Sequence, residues 1–238
     1  MSIQLNQSII TGINVLQEIM LADKPVSSRE LSRLLKFEHT KINRILGTLY
    51  STGMLNKTTT RKYYPGPGIH ILAAQTLKGS PLLPISMDYL KEFHNEGCTV
   101  ALGVLWKNQV CYLLHSRSGQ QIEDGIGTHQ LWPAHKSSLG VILLSKTAEY
   151  EVFNYIKNNN CTSICTKAKK DNYAMLEFPN GEISIAVSVG NPVIASIGLS
   201  SQDLKKKGVK AMVLRLQNAA KEIDNQLSDR YLLEGEKV

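Results

Sequence analysis

Aromatic residues are scarce in this chain, 6% in all with two tryptophans, and so are cysteines, four in 238 residues. Cys98, Cys111, Cys161 and Cys165 form no C-x-x-C pair, and Cys161 and Cys165, four apart, have no second Cys or His pair at metal spacing. That pattern fits small thiols in a reducing compartment rather than a disulfide frame or zinc site. The six histidines, at 39, 70, 94, 115, 129 and 135, show no H-x-x-x-H spacing. No stretch reaches the ~20 apolar residues of a membrane span, and the N-terminus has no apolar signal core. Pro65-Gly66-Pro67-Gly68 and Gly125-Ile126-Gly127 both lack the third glycine of G-x-G-x-x-G. Ser137 and Ser138 lie near His135 without a G-x-S-x-G elbow, and no carboxylate pair stands out. These absences predict a cytoplasmic protein that is not an enzyme, with no membrane partner, metal or cofactor.

Positive charge is present and unevenly placed. The net charge is +7. Residues 1–80 carry ten Lys/Arg against four Asp/Glu, a net of +6, and the remaining residues seventeen against sixteen, a net of +1. Charge concentrated in this way is a footprint of polyanion binding.

The stretch Val26–Gly53 reads as two short helices joined by a tight turn. Ser27 and Glu30 make a capping box, followed by Leu31, Leu34 and Leu35 at helical spacing. Lys36-Phe37-Glu38-His39 breaks the pattern. A second helix places Ile42, Ile45, Leu46 and Leu49 on one face and Thr40, Lys41, Asn43, Arg44, Gly47, Thr48 and Ser51 on the other. Gly53 suits a left-handed stop. Donors and positive charge on such a helix suit the DNA major groove, although a solvated polar face produces the same pattern. Met54–Lys57 and Arg61–Tyr64 then read as a hairpin with a basic tip, completing a winged helix.

Elsewhere, Ser8 is read as the cap of a first helix to about Leu21, with Ile9, Ile13, Leu16 and Met20 as its apolar stripe, widened by Ile10 and Ile19. A helix over 69–78 precedes a boundary at Gly79-Ser80-Pro81 and Pro84. A helix over 84–96, strands at 99–105 and 110–116, a polar stretch at 117–130, and helices at 137–145 and 149–157 follow. Residues 158–171 read as a soft basic loop. Strands at 173–178, 183–189 and 193–200 come next, with Asn180-Gly181 a strong hairpin signal. A last helix carries Val209, Val213, Leu216, Ala220, Ile223 and Leu227 as an unbroken stripe, read as core ahead of the alternative of an interface, and the tail is loose from Tyr231.

In this order the parts resemble the IclR family of bacterial transcription regulators over almost the full length. HTKINRILGTLYSTGMLNK, followed by KYYPGPGIHIL, is similar to the family's recognition helix, wing and linker helix. CYLLHSRSGQ resembles its second sensor strand, and LWPAHKSSLGVILLS its L-P-x-H-A-x-x-x-G-K-type run. The resemblance implies an α+β fold: an N-terminal winged helix-turn-helix domain, residues 1–78, then a GAF-like or profilin-like antiparallel-sheet effector domain, residues 84–230. It implies a homodimer or dimer of dimers on double-stranded DNA, repression as the default mode, and a small organic acid effector. Thr40, Lys41, Asn43, Arg44 and Thr48 would face DNA, Ser28 would hold a phosphate at a helix start, and Lys57, Arg61, Lys62 and Tyr63 would form the wing. The effector pocket would fall on Ser138 and Leu139, with Trp132 as an apolar wall. Gly198 and Ser200 take the place of inward residues on the last strand, and Ile183 that of a common cysteine. The acidic loop and its preceding helix look shortened, leaving Glu177. The rival expectation is a winged-helix protein-interaction module whose C-terminal domain only oligomerises.

Overall fold

The computed structural model describes residues 4–127, 131–147 and 155–235. The chain divides into two compact units, residues 1–80 and 81–238.

The first unit opens with α1 (Gln7–Leu21), α2 (Ser28–Leu35) and α3 (His39–Ser51). An antiparallel hairpin, β1 (Leu55–Lys57) and β2 (Tyr63–Pro65), and α4 (Pro67–Gly79) complete it. Asn6, rather than Ser8, caps α1, its side-chain oxygen accepting from the Ser8 and Ile9 amides. The capping box at α2 forms on both sides: Ser27 N–H donates to Glu30 and Glu30 N–H to Ser27 Oγ. Those bonds hold the Glu30 carboxyl below its usual range. Lys36 closes α2 in the left-handed conformation, and α3 starts three residues later.

Val15, Ile19, Leu31, Ile42, Leu46, Leu55 and Tyr63 form the core of this unit. The buried face of α1 is Thr11, Val15 and Ile19. It is rotated from the centre of the stripe expected from the sequence, keeping Ile19 at the edge of that stripe, and Ile9 and Ile13 are exposed. Both faces of α1 are apolar enough to satisfy a helical period, so only the partner decides which is covered. Gly53 ends α3 with φ +74°, and the chain returns so closely that a Cβ at Gly66 would sit 2.4 Å from the Gly53 carbonyl. The Gly68 amide also donates to that carbonyl. The end of α3 and the start of α4 are therefore joined backbone to backbone.

The second unit is an antiparallel sheet, in spatial order β5-β4-β3-β8-β7-β6, covered on both faces. Its strands are β3 (Thr99–Trp106), β4 (Gln109–Ser116), β5 (Leu131–Pro133), β6 (Ala174–Glu177), β7 (Ile183–Val189) and β8 (Ala195–Ser201). Helix α5 (Leu82–Asn95), the single turn α8 (Leu204–Lys207) and the long α9 (Val209–Gly235) lie on one face. Helices α6 (Ser138–Lys146) and α7 (Thr162–Asp171) lie on the other. The expected stripe of α9 is core: Val213, Leu216, Ala220, Ile223 and Leu227 are all buried.

Three readings are corrected. Residues 162–171 are helix, not loop, because α7 buries only a narrow face, Cys165 and Ala168, and its last-turn lysines complement the carbonyl end. The apparent shortening before β6 is therefore not a missing helix. The last helix starts in two pieces, broken by Gly208 at φ +82°, and runs on to Gly235 where a loose tail was expected. The helix expected over 149–157 falls largely outside the described residues, of which 155–158 are helical.

Leu46 has no exposed surface, whereas Leu34 on α2 is 61% exposed. Leu46→Ala is expected to cost about 2–5 kcal/mol and Leu34→Ala less than about 0.5 kcal/mol. Urea unfolding followed in the N-terminal unit checks this, and equal effects would contradict the assigned core.

Candidate functional site

Helix α3 has two unlike faces. Ile42 and Leu46 are fully buried, with Ile45 and Leu49 partly so. Thr40, Asn43, Arg44, Gly47 and Thr48 are exposed. Lys41 is half-buried, and its ammonium lies 4.6 Å from the Phe37 ring centroid, a cation–π contact that holds the stem against the turn. Arg44 makes no ion pair among the described residues, so its guanidinium donors remain open. Arg44, Lys41, Thr40 and Thr48 form one wall of an open groove of about 750 Å³. Ile9, Ile13 and Leu16 of α1 form the other.

The hairpin tip is a tight basic turn. The Thr58 amide donates to the Lys62 carbonyl, and the Arg61 and Lys62 amides donate back to Thr58. Arg61 takes the left-handed conformation at φ 61°. Lys57 and Arg61 are exposed and Lys62 half-buried. Tyr63 corrects the expectation. Its ring is buried, only 7% exposed, and its backbone bonds both ways with Val26. It is a core residue that seats the hairpin, with the Lys57 ammonium over its ring. Alternation places Tyr64, not Tyr63, toward solvent.

Ser28 opens α2 and sits half-buried, its hydroxyl 2.9 Å from His39 Nε2. His39 opens α3, and the Asn43 amide nitrogen lies 3.2 Å from its Nδ1 and 3.4 Å from its Nε2. Sequence reading passed over His39 as part of the turn. Its position at the first residue of α3, one turn before Asn43, was the available signal.

In the second unit, strand parity sorts the expected effector residues. Ser138, Leu139, Gly198 and Ser200 share the face covered by α6, and Trp132 pairs with Val110 on that side, half-exposed at the edge. Ile183 does not belong with them. It is buried in the opposite core, beneath α5 and α9. Glu177, its register partner, is exposed and ion-paired with Lys205. The side chains that do reach the α6 face are Tyr112, His115, Glu182 and Ser184. Period-two alternation about Ile183 and Ile185 would have identified Glu182 and Ser184, whereas Tyr112 and His115, three apart, share that face only because the register shifts between Leu102 and Gly103. Ser138 and Ser184 hydroxyls are 2.7 Å apart, Tyr112 bonds Ser137, and Ser200 donates to Glu182 at 2.5 Å. Leu139 covers the floor: a Cβ at Gly198 would meet it at 2.4 Å. Burial, seconded by Arg117, lowers the His115 pKa, against the pull of Glu182. Among the described residues no group of His, Cys, Asp or Glu is placed to hold a metal ion, and no helix is long and apolar enough to cross a membrane.

The depressed His115 has a consequence for stability. The unfolded chain, with a histidine pKa near 6.5, binds its proton more readily than the folded one. Stability is therefore full above about pH 6.5 and is lost as pH falls through the lower folded value. The urea midpoint is expected to drop on acidification below that point, and His115→Gln is expected to reduce the drop, His135, also lowered by burial, retaining part. An unchanged dependence in the variant would remove His115 from this role.

No protein-family model matches the sequence, and neither does any curated protein. Solved structures match well. An IclR family transcriptional regulator from Brucella abortus aligns with a TM-score of 0.72 at 16% identity, covering 94% of this chain and 93% of that one. A putative IclR transcriptional regulator from a Silicibacter species gives 0.72 at 16%, covering 92% and 96%. An IclR homolog from Microbacterium hydrocarbonoxydans, in complex with 4-hydroxybenzoate, gives 0.57 at 19%, covering 93% and 99%. The chain has the α+β fold of the IclR-family transcriptional regulators, over more than nine tenths of its length.

Proposed function

We propose that this chain is a sequence-specific transcription regulator that binds double-stranded DNA through residues 1–78 and is regulated through residues 84–230. The observation that carries the reading is the two-sided character of α3: a sealed apolar face over the core, and an open face of Thr40, Asn43, Arg44 and Thr48. A helix so presented suits the major groove, and Arg44 is the residue placed to read a guanine. Lys57, Arg61 and Lys62 supply the wing's backbone contacts, and Ser28 a phosphate contact at the start of α2. The excess charge of the first 80 residues and the fold of the structural neighbours support the same reading. It is a regulator rather than an enzyme, cytoplasmic, and represses by default.

The working unit is a homodimer or dimer of dimers, since two winged helices spaced to the duplex repeat engage two half-sites. A small organic ligand held over the α6 face by Ser138, Leu139 and Ser200, beside Gly198 and Trp132, changes that spacing to the extent that it prefers one arrangement. The 4-hydroxybenzoate complex of a structural neighbour supports an organic acid as the first class to try.

The second reading, a protein-interaction module, is favoured by one feature, the exposed Ile9 and Ile13 beside α3. Salt separates the two. Selection of bound DNA from a random pool is expected to yield a short palindrome whose log affinity falls with log salt by about 0.9 per phosphate contact. Arg44→Ala is expected to cost about 1–3 kcal/mol of preference for that site. Lys62→Ala is expected to weaken all sequences alike and flatten the salt slope by about one. Equal, sequence-independent losses in both variants would remove Arg44 from a base edge, and a slope near zero would favour the protein partner.

A further inference from the structure

We propose that the ligand of the second unit is a free amino acid, its ammonium group taken by Glu182. The inference rests on the ligand-binding reading above, which places an organic carboxylate at the start of α6. The new element is a charge of the same sign as that carboxylate, built into the same face of the sheet.

Glu182 follows the Asn180-Gly181 turn and shares the α6 face with Ser184 and Ala186. It is half-buried, and the partners of its carboxylate are neutral. Ser200 Oγ donates to Oε1 at 2.5 Å, and Asn180 Nδ2 lies 3.5 Å from Oε2. No cation pairs with it among the described residues. His115 is within its field, but burial holds that imidazole below its ordinary pKa, so it is neutral at neutral pH. Arg117 bears on His115 as well and forms no ion pair with Glu182. A carboxylate has about four acceptor sites. Part of that capacity, and the whole of its charge, is left for something else.

Along the same face, α6 opens. Ser138 and Leu139 are 1% and 3% exposed, and their amides find no acceptor among the described residues. Ser137 Oγ serves Gly140 instead. Such amides take an anion and offer nothing to a cation. Hydroxyls run between the two ends. Ser200 is the register partner of Ser184, and Ser184 Oγ lies 2.7 Å from Ser138 Oγ. Since cross-strand neighbours stand about 5 Å apart, the Glu182 carboxylate and the start of α6 are separated by on the order of 10 Å.

A ligand with one sign of charge suits one end and fails the other. A plain acid brings its carboxylate toward Glu182, and a plain amine leaves the α6 amides unbonded. A zwitterion satisfies both. An ammonium donates three bonds and accepts none. It matches the Glu182 carboxylate together with the lone pairs of Ser200 Oγ, whose own proton is already given to Glu182. With a hydrogen bond of about 3 Å at each end, a small amino acid spans the separation.

Calorimetric titration of the full chain tests this. The probes are the protein amino acids, β-alanine and γ-aminobutyrate, each compared with the acid that lacks its amine and the amine that lacks its carboxylate. At least one amino acid is expected to bind tenfold or more tightly than both of its counterparts. Glu182→Gln keeps an acceptor for Ser200 and loses the charge. It is expected to weaken that amino acid tenfold or more and to leave the matching acid unchanged. Glu182→Lys is expected to reverse the order, the acid then binding more tightly than the amino acid. A counterpart that binds as well as its amino acid, or equal losses of acid and amino acid in Glu182→Gln, would overturn the inference and leave the ligand-binding reading intact. Binding of none of these compounds would overturn both.

Discussion

Ile42 and Leu46, one turn apart on α3 and without exposed surface, fix the rotation of that helix. Each contributes about 1.5–3 kcal/mol by leaving water, and together they leave α3 one stable orientation about its axis. The helical period does the rest. With positions 42 and 46 turned inward, 40, 43, 44, 47 and 48 are turned outward. The open polar face is thus a by-product of the core. The same logic seats the wing, because burying Tyr63 beneath the hairpin directs Tyr64 and the basic tip away from the core.

The elements most legible in the sequence were those announced by their own residues. The Ser27–Glu30 box, the Gly53 stop, the Asn180-Gly181 turn and the stripe of α9 each depend on contacts within a few positions or on a strong period, and each appears as expected. Misplaced elements depend on something distant. Helix α1 has two apolar faces, and the choice between them belongs to α3 and the hairpin. Helix α7 is polar almost all round and is held by Cys165 and Ala168 against a sheet formed by residues far along the chain. The exposed face of α3 was readable because one helix carries it. The side of Ile183 was misread because strand parity decides it: Ile183 and Ser184 are neighbours in sequence and lie on opposite faces of the sheet.

That parity also gives the second unit its division of labour. The α5–α9 face is closed by large aliphatic side chains such as Leu102, Ile185, Ile197 and Ile223. The α6 face is floored by small residues, Ala101, Ala186 and Gly198, with hydroxyls at one end. Small residues let α6 approach closely, and that approach brings Leu139 down onto Gly198. One face supplies rigidity and the other carries the exchangeable polar contacts. A buried polar cluster of this kind holds its geometry only while its members satisfy one another.

The backbone junction between Gly53 and Gly66 is a matter of gearing. With no room for a Cβ between Gly66 and the Gly53 carbonyl, the end of α3 and the start of α4 share a fulcrum without slack. Helix α4 extends 13 residues from that point, about 20 Å at 1.5 Å per residue. Helix α3 runs the same 13 residues back from it, so the two arms are matched. A swing of about an ångström at the far end of α4 is carried to the far end of α3 at about the same size, larger than the few tenths of an ångström that separate a kept hydrogen bond from a lost one.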